Sequence, residues 1–276
     1  MSRALALALV LFGLWTVSAT ADPAACARAE PESPQPIERA IWEAITANEA
    51  FDAIAFAEAP AGRVLDAAFL RALLACPRLH AELPAKGVTL DGVVVPAVLD
   101  LRFVEVPVRF VCRGCVFRAI DARGSRWNRS ADFEGIVVQA RVDIEGAVFE
   151  DTLSLRRASV GGGLELGAVE VRRSLDLRFL ARTGAVDLRD ARIGGKLRLD
   201  GAEIAALDLG AARIDDQVIL SGMVVEQAVN LDKIRGGSDV LIRRWPHGPV
   251  PVFGRVRDPA TAASTGFEDA VLRMNN

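Results

Sequence analysis

The chain of 276 residues contains no tyrosine and only two histidines, His80 and His247. This scarcity limits acid–base and metal chemistry, because histidine titrates near neutral pH and is the commonest metal ligand. Neither histidine has a serine, cysteine or acidic neighbour that would suggest a catalytic triad. The sequence therefore identifies no catalytic residue, metal site or cofactor. It favours a non-enzymatic protein and leaves enzymatic activity open.

An excess of charge of one sign is also lacking. The 33 Lys and Arg residues stand against 36 Asp and Glu residues, which gives a formal net charge of −3. Proteins that bind nucleic acid or an anionic membrane surface typically carry a basic patch or stripe. We therefore predict no nucleic-acid partner. Apolar residues make up 51% of the chain, which is ample for a core.

A long membrane-spanning run is missing, but the first residues resemble an export signal. Arg3 is followed by an apolar stretch from Ala4 to Val17 and by the small residues of Ala19-Thr20-Ala21. The stretch is short of the roughly 20 apolar residues that a transmembrane helix needs. We predict a signal peptide over residues 1–21 and export to the periplasm, cell envelope or exterior. The alternative is an inner-membrane anchor formed by residues 4–19.

Three further regions follow the predicted signal: residues 22–87, 88–234 and 235–276. The first is predicted to be a linker and a small helical cap. One helix is indicated by apolar residues at helical spacing, namely Ile37, Ile41 and Ile45. A second helix is expected from Asp66 to Leu74, before Pro77. The last region is predicted to be a C-terminal cap or tail, with a final strand at residues 239–242 and a short helix at 267–274.

The middle region is built from an eleven-residue repeat of the form L-x-L-x-x-A-x-I plus three residues. One copy consists of Leu197, Leu199, Ala202 and Ile204. Fourteen units begin at positions 88, 99, 110, 120, 131, 142, 153, 164, 175, 186, 197, 207, 218 and 229. The unit that begins at Leu175 is the weakest, because Arg182 occupies an expected apolar slot.

The repeat predicts short strands that stack into a solenoid. An eleven-residue period also fits a right-handed coiled coil, but the apolar residues alternate with period two, as in strands. Glycines recur between half-units, at 161–163 and 194–195, where we expect them to supply φ freedom at corners. Two units would make one coil, so seven coils would stack at about 4.8 Å. Inward large and small residues would fill a narrow bore.

The repeat resembles that of the pentapeptide-repeat proteins, whose motif is A-[DN]-L-x-x. Matching segments begin at Leu175-Asp176-Leu177, Val186-Asp187-Leu188 and Leu207-Asp208-Leu209. The resemblance covers about half the chain and departs by one extra residue in every second face. It implies a mainly β fold, a right-handed quadrilateral-type parallel β-helix with a small N-terminal helical cap. With the helix before Gly87, the chain is also similar to a bacterial group of pentapeptide-like proteins.

Four cysteines permit disulfides in an exported chain. Cys112 and Cys115 fall on inward slots of one unit, on adjacent faces around a corner. We favour buried core residues or a structural disulfide there, and a redox pair is the alternative. Cys26 and Cys76 flank the helical region, and a disulfide between them is the favoured interpretation.

Outward residues between the two Leu slots of alternate units form a predicted acidic ladder. Its members are Asp100, Asp121, Asp143, Glu165, Asp187 and Asp208, and Asn230 follows them. The ladder could bind a cation or a partner. The interpretation that we favour is that each carboxylate accepts hydrogen bonds from corner amides, with Arg102, Arg123 and Arg189 nearby relieving the repulsion.

These features favour a non-enzymatic interaction or structural protein of the cell envelope. Its solenoid surface would bind a macromolecular partner, a protein or an envelope polymer, and it would meet the membrane only through an uncleaved signal. The alternatives are a thiol/disulfide redox protein that uses Cys112 and Cys115, and a carbohydrate-active β-helix enzyme. The near-constant repeat step counts against the enzyme, because it leaves no room for loops that wall a groove. Basic doublets at 156–157, 172–173 and 243–244 are interspersed with acids and are expected to be ordinary surface residues.

Overall fold

The structure is a computed structural model, and it describes residues 35–80, 83, 85–237, 239–242, 252–253 and 270–273. The predicted signal peptide and the alternative anchor, Cys26, the doublet at 243–244 and His247 lie outside the described residues. The described chain is mainly β. It forms a parallel β-solenoid of about seven turns, preceded by a few short helices.

The helices lie before the solenoid. They are α1 (Pro36–Thr46), α2 (Ala53–Phe56), α3 (Ala67–Ala75) and α4 (Pro77–His80), with a 3₁₀ turn at Pro60–Arg63. The two predicted helices are confirmed as α1 and α3. The apolar stripe of α1 is buried, and Asp66 caps α3 by accepting a hydrogen bond from the Ala68 amide at 2.7 Å.

The strands form three sheets, and their neighbours pair in parallel except for the last strand of the first sheet. The first sheet contains Phe51–Asp52, Val88–Asp91, Phe110–Arg113, Ala131–Asp132, Leu153–Ser154, Leu175–Asp176, Leu197–Arg198, Val218–Ile219, Asp239–Ile242 and the antiparallel Ala270–Arg273. The middle sheet contains Val94–Asp100, Val116–Asp121, Val137–Val138, Val142–Asp143, Ser159–Val160, Leu164–Glu165, Thr183–Asp187, Glu203–Asp208, Val224–Asn230 and Val252–Phe253. The third sheet contains Glu105–Val106, Arg126–Trp127, Val148–Phe149, Glu170–Val171, Arg192–Ile193, Arg213–Ile214 and Arg235–Gly236.

Each coil has four faces, because the strands of the middle sheet cover two of them. Val116–Asp121 shows this directly: its start pairs with Val137 and its end pairs with Val142. Val142 pairs with Leu164 of the next coil, which is the step expected for two eleven-residue units. The predicted two-unit coil is therefore confirmed.

The bore of the solenoid is filled as the repeat predicts. Leu197 and Leu199 on one face and Ala202 and Ile204 on the next are at most 2% exposed. Aromatic side chains also lie in the bore, where the Trp127 ring stacks on Phe149 with their centroids 5.5 Å apart. The indole N–H of Trp127 donates to the Ser125 hydroxyl at 2.9 Å, so this large aromatic side chain leaves no polar atom unpaired in the core.

Two columns of left-handed residues make the corners, one residue per coil in each column. Their φ angles lie between 51° and 71°. The first column is Gly92, Gly114, Gly135, Arg157, Phe179, Gly201 and Gly222. The second column is Phe103, Gly124, Gly146, Ala168, Asp190, Ala211 and Lys233. Only glycine adopts a left-handed φ readily, yet both columns also contain other residues, such as Arg157 and Ala168. The geometry of the corner, and not the preference of the residue, therefore sets the backbone conformation at these positions.

The glycine repeats serve a different purpose from the one predicted. Only Gly163 of the two runs has a positive φ. At Gly161 a Cβ atom would lie 2.6 Å from the Gln139 carbonyl oxygen, and at Gly194 it would lie 2.4 Å from that of Arg172. The expectation of φ freedom is therefore wrong for the rest of these glycines: a side chain would collide with the backbone of the coil before.

Two further sequence expectations are wrong. The inward slot expected at Arg182 is taken by Thr183, which is 3% exposed and pairs with Ile204, while Arg182 turns outward with a left-handed φ. The Thr183 hydroxyl donates to the Ala181 carbonyl at 3.4 Å, which satisfies it inside the bore. The predicted helix at 267–274 is instead a strand, Ala270–Arg273, which pairs with the predicted last strand. There it covers an open sheet edge.

The helical region joins the first coil through backbone contacts. The Leu65 amide donates to the Val94 carbonyl at 2.8 Å, and Phe51 pairs with Leu90 at the start of the first sheet. The Arg71 guanidinium donates to the Asp100 carbonyl oxygen and lies 3.6 Å from the Asp100 carboxylate. The core of the helices and the core of the solenoid form one continuous apolar cluster.

Candidate functional site

Cys112 and Cys115 occupy the inward slots that the repeat predicts. Both are 0% exposed, and their sulfur atoms are 2.17 Å apart, which is the distance of a disulfide. The Cys115 sulfur also lies 3.7 Å from the Leu90 carbonyl oxygen of the coil before. A redox cysteine needs access to its substrate thiol, and neither sulfur is exposed.

Cys76 is buried at the junction of α3 and α4, at 1% exposure. Its predicted partner, Cys26, lies outside the described residues, so the predicted bond between them stays a prediction. The nearby His80 ring places its Nε2 atom 3.0 Å from the Leu74 carbonyl oxygen. Burial lowers the pKa of His80, which favours the neutral ring.

The register of the middle sheet places the acidic ladder in one vertical column. Asp121 pairs with Asp100 below it and with Asp143 above it. The pairing continues in register through Glu165, Asp187, Asp208 and Asn230. Like charges on adjacent strands repel, so this column requires compensation.

The ladder carboxylates hydrogen-bond the corner that follows them. Each aspartate accepts from the backbone amide two residues further on, at 2.8 to 3.4 Å; these are Asp100, Asp121, Asp143, Asp187 and Asp208. Glu165 is one methylene longer and makes no such bond within the described residues. These bonds satisfy amides that enter the left-handed corner, as short polar side chains do in turns.

Arginines then bridge the rungs of the ladder. The Arg123 guanidinium lies 2.8 Å from the Asp121 carboxylate in its own coil and 3.5 Å from Asp143 in the next. Arg102 repeats this pattern, at 2.8 Å from Asp100 and 3.8 Å from Asp121. The five aspartates of the ladder thus each lie within 4.0 Å of an arginine and hydrogen-bond a corner amide, whereas Glu165 does neither within the described residues.

The pKa values of the ladder reflect this pairing. Hydrogen bonds from Arg102 and Arg123 lower the pKa of Asp100 and Asp121 respectively. For Asp187 burial acts to raise the pKa, but the hydrogen bonds from Arg189 outweigh it and the pKa is lowered. All three carboxylates therefore stay ionised to lower pH than a free aspartate, which suits a structural role.

The basic doublets pair with acids of neighbouring coils. Arg156 and Arg157 both lie within 3.7 Å of Glu134. Arg172 lies 3.0 Å from Glu150, and Arg173 lies 3.3 Å from Asp151.

The sequence does not predict a groove that lies on the third sheet. It has a volume of about 630 Å³ and runs across the last coils. Its outward column consists of Glu170, Arg192, Arg213 and Arg235, which pair in register from coil to coil. We call this feature the basic groove. The remaining charged residues that line it are Arg172, Asp190, Asp215 and Lys233.

Charges in the basic groove are only partly compensated. Arg213 lies 3.0 Å from Asp215, and Arg172 lies 3.5 Å from Glu170. Arg192, Lys233 and Arg235 are exposed and form no ion pair with any residue that the structure describes. Five basic and three acidic side chains line the groove, so it carries a net positive charge.

Comparison with known proteins does not assign this chain to a family. Scans of protein-family models, of curated proteins and of solved structures find no match to this chain. Among the described residues there is no group of three His, Cys, Asp or Glu side chains that could hold a metal ion. Within that same part of the chain, no helix has the length and apolar character needed to cross a membrane.

Proposed function

We propose that this protein is a non-enzymatic interaction protein of the cell envelope that binds a macromolecular partner on its solenoid surface. The observation that carries the proposal is the coil-to-coil register, which sets outward side chains in straight columns such as Arg192, Arg213 and Arg235. Such columns suit an extended partner, because repeat proteins commonly bind along their stacked faces.

The alternatives have less support. Redox chemistry at Cys112 and Cys115 would need at least one accessible sulfur, and both are buried. A carbohydrate-active enzyme would need a pair of carboxylates over a walled cleft. The carboxylates of the acidic ladder instead bind corner amides and arginines.

The handedness of the solenoid, its family relationship and the location of the protein in the cell are also part of this proposal. We infer a right-handed solenoid related to the pentapeptide-repeat proteins, supported by four faces per coil and by inward Leu, Ala and Ile slots. The N-terminal helices would cap the first coil, which is supported by the hydrogen bond between Leu65 and Val94. Export rests on the sequence of residues 1–21 alone.

The test uses the purified full chain and separated envelope polymers and envelope proteins. Co-sedimentation should show saturable binding to one fraction, while reducing-end and thiol assays on the same samples show no protein-dependent product. Release of reducing ends in proportion to protein concentration would establish an enzyme instead. Absence of binding to every fraction would also reject the proposal.

A further inference from the structure

The arginines of the basic groove differ from those of the acidic ladder in one respect. In the ladder, an arginine such as Arg189 lies 2.5 Å from an aspartate two residues before it, Asp187. In the groove, Asp190 stands two residues before Arg192 but forms no ion pair with it, and Lys233 holds the same position before Arg235. Arg213 lies between the two arginines in the same column. Adjacent rungs are about 4.8 Å apart, so the three guanidinium groups repel one another. Asp215 pairs with Arg213, and Glu170 occupies the rung next to Arg192, but these acids do not balance all the basic side chains of the groove, which keeps a net positive charge.

The groove is shaped to admit a linear ligand. Ala191, Gly194 and Ala211 are among its lining residues and contribute little side-chain volume, which leaves open space beside the arginine column. The column runs along the solenoid axis, since Arg192, Arg213 and Arg235 belong to successive coils. A ligand bound there would therefore be extended and would present one acidic group to each coil.

The composition of the groove favours carboxylates over phosphates. Glu170, Asp190 and Asp215 stand among the arginines and repel any anionic ligand, so the groove suits a ligand whose acidic groups alternate with neutral hydroxyl groups better than it suits a phosphate backbone. None of the lining residues is aromatic, so the stacking platforms that hold single-stranded nucleic acid are missing from the groove. Arginine binds a carboxylate through two parallel hydrogen bonds, and the two aspartates could accept hydrogen bonds from hydroxyl groups.

We propose that the basic groove binds an anionic polysaccharide whose sugar rings carry carboxylate groups. Successive carboxylates would pair with Arg192, Arg213 and Arg235, and sugar hydroxyls would donate to Asp190 and Asp215. One sugar ring is similar in length to the rise of one coil, about 4.8 Å, so a polymer that lies along the column would place about one ring beside each coil. This inference rests on the proposed function and specifies the partner and the face that it uses.

The experiment measures binding of the purified full chain to polygalacturonate, with neutral dextran and a single-stranded DNA oligonucleotide as comparison probes. The test variant replaces Arg192, Arg213 and Arg235 by alanine. We expect it to bind polygalacturonate about tenfold more weakly, because it loses up to three exposed charge-assisted contacts. Binding should also become less sensitive to salt.

A matched control removes three exposed arginines elsewhere on the solenoid, which likewise form no ion pair with a described residue: Arg113, Arg118 and Arg129. This variant should bind within about twofold of the unaltered protein, because its net charge changes by the same amount away from the groove. Replacing the groove arginines by lysine keeps the charge and removes the two-pronged geometry. We expect that variant to bind with intermediate strength, and it guards against misfolding of the alanine variant.

Three results would overturn the inference: equal binding of dextran, tighter binding of DNA, or equal losses in the groove and control variants. These results differ from failure of the proposed function. A protein that binds another envelope fraction but ignores polygalacturonate would retain the proposed function and lose this inference. A protein that binds polygalacturonate through the groove and also cleaves it would keep the site and lose the non-enzymatic assignment.

Discussion

Replacing Gly146 by alanine isolates the energetic cost of one corner. Gly146 has a φ of 64°, and a Cβ atom added there meets nothing within 4 Å, so the substitution changes only the backbone preference. An L-residue pays roughly 1–2 kcal/mol in the left-handed region, and alanine regains about 0.5–1 kcal/mol because it restricts the unfolded chain. We expect the free energy of unfolding to fall by about 0.5–1 kcal/mol.

Two neighbouring positions provide controls of opposite sign. Ala168 occupies the same corner one coil later, with a φ of 51°, so Ala168→Gly should stabilise the protein by a similar amount. Gly167 has no left-handed φ, and a Cβ atom there would make an ordinary contact at 3.7 Å to Glu145. Gly167→Ala should therefore stabilise by about 0.4–1 kcal/mol.

Urea unfolding followed by circular dichroism measures all three variants, and melting temperatures should shift by about 2–4 °C per kcal/mol. Equal denaturant slopes would show that the unfolding transition itself is unchanged. If Gly146→Ala and Gly167→Ala shift stability in the same direction, the left-handed corner does not control the energetics and the reasoning fails.

Three other predictions concern the interior. Burial raises the pKa of Asp200, an effect that Arg198 at 3.3 Å only partly offsets. A carboxylate whose pKa is raised in the folded state destabilises the protein above that pKa, and the penalty is relieved as the pH falls through the folded-state pKa to the unfolded-state value. Asp200→Asn removes the charge and should therefore stabilise the protein at pH 7, and this advantage should shrink in acid titrations of unfolding. Leu199→Ala should cost about 2–5 kcal/mol in urea unfolding, because Leu199 is 0% exposed in a closed bore; a smaller loss would mean that the bore collapses around the gap. Replacing Cys112 and Cys115 by alanine should cost at most about 2 kcal/mol, because a bridge across two residues closes a very short loop; if native mass spectrometry found two free thiols in the unaltered protein, that bridge would be ruled out.

Most of the architecture could be predicted from the sequence because a solenoid repeats one local rule. The two-residue alternation within each half-unit placed Leu197 and Leu199 in the bore, and the eleven-residue step placed Trp127 and Cys112 there as well. Each of these side chains is at most 1% exposed. Local patterning succeeds here because every coil contacts mainly the coils next to it.

Features that depend on the neighbouring coil could not be predicted in the same way. Thr183 displaces Arg182 from the inward slot through a shift of one residue that pairing with Ile204 imposes. Phe103 adopts a left-handed φ although its own preference opposes it, and its ring then covers Gly124 of the next coil. In both cases the stacked backbone overrides the preference of the residue.

The same distinction, between features set by the local repeat and features set by the neighbouring coil, separates the two candidate sites. The acidic ladder was visible because each of its members lies between two leucine-type slots of the repeat. The arginine column of the basic groove does not appear as a sequence motif, because its members are not adjacent. Arg192, Arg213 and Arg235 are far apart in sequence, and only the coil register shows that they form one column.

That register also decides what such a column can do. A single exposed arginine contributes little binding free energy, since water and salt screen it. Arg192, Arg213 and Arg235 are held at a fixed spacing by rigid coils, so a polymer that pairs with one of them presents its next group to the following arginine at a high effective concentration. The binding free energy of the polymer then exceeds that of any single contact, although each arginine still makes only its own weak contact. The alignment tolerates a difference of one residue between coils: the step from Arg192 to Arg213 is 21 residues and the step from Arg213 to Arg235 is 22, yet both pairs stay in register. Strand pairing, and not an exactly constant repeat length, therefore holds the column straight.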